Sequence, residues 1–140
     1  MNFSSVNIHR NISLKEFLHL HHFEVETVNE HTLLVAKSNG LPICLHLRDD
    51  RIYFQADLGR VSELGEENDP IFYKLLDLNT EIQSVSVGIS SVKPDDPRLV
   101  LIESRETDHL SDQELFNVLE LMEHAADKIE LLLSQYLAKS

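Results

Sequence analysis

Apolar and polar positions alternate with different periods along the chain, and each change of period marks an element. Ser13-Leu14-Lys15-Glu16 has the form of a capping box, with Ser13 as N-cap and Glu16 reaching back to it. Leu14, Phe17, Leu18 and His21 then share one helical face, so a short helix is expected to end near His21. From Phe23 the period changes. FEVETV, TLLVAKS, LPICLHLR and RIYFQADL are rich in β-branched and aromatic residues, with Ser38-Asn39-Gly40 and Asp49-Asp50 placed as hairpin turns. Leu41, Ile43, Leu45 and Leu47 alternate with Pro42, Cys44, His46 and Arg48. Ile52, Phe54, Ala56 and Leu58 alternate with Arg51, Tyr53, Gln55 and Asp57. This pattern predicts an antiparallel meander with one buried face and one wetter face.

A loop, GRVSELGEEND, leads to Asp69-Pro70, which opens a second helix with proline at its first position. Ile71, Leu75 and Leu76 supply its apolar side. In SVSVGI, Val85, Val87 and Ile89 alternate with Ser84, Ser86 and Gly88. In RLVLIES every residue from Leu99 to Ile102 is apolar, which predicts a central strand, and VKPDDP turns the chain between the two. Ser111-Asp112-Gln113-Glu114 is a second capping box and starts a helix that can reach Leu137. Along it Leu115, Leu119, Met122, Ala126, Ile129, Leu133 and Tyr136 step by 4, 3, 4, 3, 4 and 3, one complete apolar seam. Val118, Leu121, Ala125 and Leu132 widen the seam to the stripe that a helix lying on a sheet needs, and Leu131 is left near the polar side.

The order α-ββββ-α-ββ-α predicts an α+β fold: a twisted, mainly antiparallel sheet packed against helices, with the long C-terminal helix on its core face. No repeat, low-complexity tract or linker divides the chain. Residues 1–12 read as an N-terminal extension, 13–137 as a single domain and 138–140 as a tail. A chain of 140 residues can bury a core without staples.

Charge narrows the function classes. Twenty-four acidic residues against twelve Lys and Arg give a net charge of −12. Residues 1–48 hold four of each sign, so the whole excess follows Arg48. Such a surface repels phosphate backbones and argues against nucleic-acid binding. Cys44 is the only cysteine, so no intrachain disulfide forms, in keeping with a reducing compartment. MNFSSVNIHRN lacks an apolar signal-peptide region and no apolar run approaches ~18 residues. The expectation is a cytoplasmic protein that does not enter a membrane.

Candidate chemistry is sparse. FLHLHHFEVE packs His19, His21 and His22 into four positions. On a helix His19 and His22 could share a face while His21 points elsewhere, and the helix is expected to stop inside the cluster. No H-E-x-x-H or C-x-x-C is present, and His31, His46, His109 and His124 are scattered. The expectation is no metal site, with His21 and His22 hydrogen-bonding the last helix carbonyls where the dipole favours a cationic imidazole. Cys44 and His46, two apart on a strand, share a face as a nucleophile and base might, but such neighbours are common by chance. The glycines are isolated, so no phosphate loop exists, and Asp49-Asp50, Glu66-Glu67 and Asp95-Asp96 fall in turns. No catalytic residue and no cofactor is expected.

IFYKLLDLNTEIQSVSVGI, then DDPRLVLIESRE, then LSDQELFNVLELMEHAADKIELLL, resembles the type III secretion chaperone-like superfamily. Leu75, Leu76 and Asn79 stand in its Leu-Leu-x-x-Asn pattern, and Gly88 is the small residue near the end of the following strand. In element order the resemblance spans residues 13–137. One branch holds the secretion chaperones, small acidic cytoplasmic homodimers that hold the extended N-terminal segment of an effector. The other holds stand-alone relatives in the YbjN and YjfI style, and LPICLHLRDDRIYFQADLG looks somewhat like the YjfI branch. The extra strand pair before residue 58 departs from the usual three-strand secretion chaperone. The resemblance implies a non-enzymatic, chaperone-like or regulatory module that binds a protein or peptide, such as a secreted effector. It also implies a homodimer meeting through residues 70–78 and 84–90, with Ile71, Leu75, Val85 and Val87 as candidate contacts. By strand alternation Leu34, Ala36, Tyr53 and Cys44 lie on the less buried face of the meander and are the candidate partner-binding residues. Acidic residues Asp49, Asp50, Asp57 and the GEEND loop would favour a partner with basic residues beside its apolar anchors. The alternative is a small-ligand or metal-sensing domain using the histidine cluster. An enzyme would need a concave pocket with convergent polar groups.

Overall fold

A computed structural model describes residues 7–8, 12–64, 69–108 and 110–138. Two short strands, β1 (Asn7–Ile8) and β2 (Ile12–Ser13), pair antiparallel ahead of helix α1 (Leu14–Leu20). Ser13 caps that helix by accepting the Glu16 N–H at 3.2 Å. The helix stops at His21, whose main-chain N–H donates to the Phe17 and Leu18 carbonyls. The meander follows as β3 (Glu24–Asn29), β4 (Thr32–Ala36), β5 (Ile43–Arg48) and β6 (Arg51–Arg60). After a 3₁₀ turn at Val61–Leu64 come α2 (Asp69–Leu78), β7 (Ser86–Ser90), β8 (Arg98–Glu106) and α3 (Asp112–Ala138).

Six strands form one antiparallel sheet in the order β3-β4-β5-β6-β8-β7. The meander is contiguous, and β8 lies between β6 and β7, as its apolar run predicts. Leu33, Val35, Ile43, Leu45, Leu47, Ile52, Phe54 and Leu101 point to one face and share a single core with the three helices. From α1 come Leu14, Phe17 and Leu18, from α2 Ile71 and Leu75, and from α3 Leu115, Val118, Leu119, Met122, Ala126 and Ile129. The seam of α3 is therefore buried as its spacing predicts, with Leu133 and Tyr136 partly covered at its end. Each fully buried Leu, Ile or Phe contributes about 1.5–3 kcal/mol by leaving water.

Polar ties set the edges. Asn79, just beyond α2, clamps the edge strand: the Val87 N–H donates to Asn79 Oδ1 at 2.7 Å, and Asn79 Nδ2 donates to the Val87 carbonyl at 3.4 Å. On the core face of β8, beyond Leu101, the Glu103 carboxylate meets Arg105 at 2.7 Å and accepts the Ser84 hydroxyl. Arg105 also reaches Glu114 in the first turn of α3 at 3.2 Å. Ser111 caps α3 by accepting the Glu114 N–H at 3.0 Å. Only the serine half of each predicted capping box forms, and at α3 the glutamate pairs across to β8 instead.

Candidate partner-binding surface

Among the described residues the three helices pack on one face of the sheet and none packs on the opposite face, where Val100 on β8 is nonetheless buried at 4% exposure. Antiparallel pairing sets the side chains of that face in rows across the strands. Leu34 stands opposite Cys44, Cys44 opposite Gln55, and Gln55 opposite Ile102. One pleat further along, Thr32, His46, Tyr53 and Ser104 form the next row. Leu34, Ala36, Cys44 and Tyr53 are half-buried, so each offers apolar surface without belonging to the core. Leu34 and Cys44 are direct neighbours; Ala36 pairs with Glu24 toward the β3 edge.

Sequence alternation did not single out three further residues on this face. Ile102 is 44% exposed on the face of β8 opposite Leu101. His46 accepts or donates at Nδ1 with the Thr32 hydroxyl at 2.9 Å. Arg48 folds its guanidinium back over the Tyr53 ring, 4.7 Å from the centroid. Their shared face follows from the register of β5 and β6, and the even-numbered parity of Cys44, His46 and Arg48 is the signal that finds them.

Neighbouring charges are largely tied down. Arg98 grips Asp57 through three hydrogen bonds of 3.0–3.2 Å, and the bond to Asp57 holds its guanidinium charged beyond the ordinary arginine range. Arg51 donates to Ser104 at 2.9 Å and meets Glu106 at 3.6 Å. Asp49 and Asp50 occupy the β5–β6 turn, and Gly65–Asn68 of the acidic loop lie outside the described residues. Burial pushes the Cys44 thiol above its usual pKa, so the protonated form predominates there. A raised pKa and the absence of an activating partner make Cys44 a surface-filling residue rather than a nucleophile.

The other sequence candidates are placed as follows. Ile71, Leu75, Val85 and Val87 are at most 6% exposed, within the subunit's own core. The outward side of α2 carries Tyr73 and Leu76, exposed by 76% and 67%, and at the end of β7 Ile89, on the same face as Val87, is 50% exposed. Leu76 thus leaves the apolar side of α2 assigned from the sequence, because that side is narrower than the Leu75-Leu76 pair suggests. Leu131 is exposed, as its place off the α3 seam implies. The His21 ring packs on Phe17 and Phe116, with centroids 4.5 and 4.9 Å away, so its main chain rather than its imidazole meets the helix carbonyls. His19, His21 and His22 are all exposed, and His109 lies outside the described residues. Among the described residues no three His, Cys, Asp or Glu side chains gather as ligands for an ion. No helix there is long and apolar enough to cross a membrane.

An antiparallel sheet packed against helices in this order is the fold of the type III secretion chaperones. The chain belongs to the Tir chaperone protein (CesT) family, whose model matches residues 13–130. The fold is similar to a chain in the heterodimeric ExoU–SpcU complex from the type III secretion system of Pseudomonas aeruginosa. That match has 17% identity and a TM-score of 0.66, covering 85% of this chain and 96% of that one. It is also similar to the crystal structure of YbjN from E. coli, with 15% identity, a TM-score of 0.62 and 90% of each chain covered. No curated protein matches the chain by sequence.

Proposed function

We propose that this protein is a non-enzymatic, chaperone-like module, a cytoplasmic homodimer that holds an extended segment of a partner protein such as a secreted effector. One observation carries the reading: half-buried Leu34, Cys44 and Tyr53 and exposed Ile102 lie together on the sheet face where, among the described residues, no helix packs. An extended segment laid there presents alternate side chains to these residues, as strands do on a pleated surface. Family membership supports protein binding.

In this reading two copies meet through the outward side of α2 and the adjoining end of β7, where Tyr73, Leu76 and Ile89 stand exposed. The charge of −12, with Asp49 and Asp50 beside the face, draws in partners carrying basic residues around their apolar anchors. That attraction speeds association more than it deepens affinity, and salt weakens it within a Debye length of about 8 Å.

The test is titration of a captured partner segment against the protein and its Tyr53→Asp and Leu34→Asp variants, at low and high salt. Each substitution is expected to weaken binding by at least about tenfold, because an anchor pocket gains a charge that the apolar contact must desolvate. Affinity untouched by both substitutions and by salt would move the partner to the helices.

A further inference from the structure

The uncovered face carries a cation that its own acids leave unpaired. Arg48 has its guanidinium over the Tyr53 ring at 4.7 Å, and among the described residues no carboxylate forms an ion pair with it. The other arginines of this face, Arg51, Arg60 and Arg98, are all matched to carboxylates. His46 stands opposite Tyr53 in the register, its Nδ1 held by Thr32, which leaves Nε2 turned away from that bond. Arg48 and His46 border an open cleft of about 480 Å³ that also takes in His31 and the Asp49-Asp50 turn.

We propose, on the strength of the sheet-face reading above, that Arg48, Tyr53 and His46 form a carboxylate-accepting subsite for the bound segment. The ring pre-orients the guanidinium, and a planar guanidinium offers a carboxylate two parallel N–H donors. The apolar row Leu34–Cys44 is two residues away along β5, roughly 6.6 Å at strand spacing. A segment running along the strands therefore places an Asp or Glu two residues from an aliphatic anchor. The anchor's charge is opposite to the one that the field of the whole molecule attracts. Fitting segments thus combine an acid at this position with basic residues outside it.

A random peptide library displayed on phage, selected on the full chain and on its Arg48→Gln and Arg48→Glu variants, tests this. Arg48 is exposed, so both variants keep the core. Selection on the full chain is expected to enrich Asp or Glu two residues from Leu, Ile or Val. The preference disappears on Arg48→Gln and turns to Lys or Arg on Arg48→Glu. A selected peptide should bind Arg48→Gln about tenfold more weakly, and its Glu→Gln analogue should lose no more on that variant. Enrichment of aliphatic segments without an acid preference, or with a basic residue at that spacing, overturns the subsite and leaves the sheet face as the binding surface. So does a preference unchanged on Arg48→Gln. Peptides indifferent to Tyr53→Asp and Leu34→Asp, or no enrichment at all, overturn both.

Discussion

Asp49 and Asp50 both hold positive φ, at 53° and 61°, in the two-residue turn that joins β5 to β6. A two-residue hairpin twists correctly when both turn residues are left-handed, a conformation in which glycine is unstrained and aspartate is only tolerated. The turn survives because its main chain is anchored: the Asp50 carbonyl accepts the Thr107 N–H and the Thr107 hydroxyl, each at 3.0 Å. Those bonds do not need the Asp50 side chain. Asp50→Gly is therefore expected to raise stability by about 0.5–1 kcal/mol, read as a shift of the urea midpoint at constant slope. Loss of stability would mean that the aspartate carboxylate contributes something that the main-chain bonds do not.

Helix α3 shows what periodicity can and cannot reveal at the scale of an element. Its seam and its start at Ser111 are legible in the sequence, because a 27-residue helix repeats its pattern many times. Met122 lies at the centre of that seam and is fully buried. Met122→Ala should cost about 2–5 kcal/mol by opening a cavity, whereas Ser111→Ala should cost only about 1 kcal/mol by removing the cap. Chemical denaturation of the two variants checks both values, and equal losses would contradict the assignment. Short elements are less legible. The strands β1 and β2 are two residues each, too short for a period, and the 3₁₀ turn at Val61–Leu64 has no alternation to show. In α2 one apolar pair splits, with Leu75 inside and Leu76 outside, because adjacent residues on a helix point about 100° apart. The proposed binding face is legible as a set of alternating positions. His46 and Arg48 share the parity of Cys44 along β5, whereas placing Ile102 beside them needed the pairing register of β5, β6 and β8, which depends on contacts distant in sequence.

At the scale of the whole molecule the two faces of the sheet divide the work. One face, with the helices, supplies stability; in the proposed function the other receives the partner, and the exposed apolar side chains of α2 and β7 meet a second copy. Light scattering at micromolar concentration should give about twice 16.1 kDa. Leu76→Asp should lower that mass toward a monomer while leaving the thermal midpoint of the subunit core intact, since Leu76 is 67% exposed. A mass of one chain at every concentration would rule out the dimer without touching the binding face. That face can be examined most directly through Cys44, the only cysteine, which sits in its apolar row. A photoactivatable benzophenone is attached to Cys44 at mildly alkaline pH, because burial raises the thiol's pKa. A second label is placed at His124→Cys on α3 in a Cys44→Ser background, an exposed position on the helical side. If the partner segment lies on the uncovered sheet face, illumination crosslinks it to Cys44 and not to position 124. Crosslinking at position 124 alone, with none at Cys44, would contradict the sheet face as the surface that holds the partner.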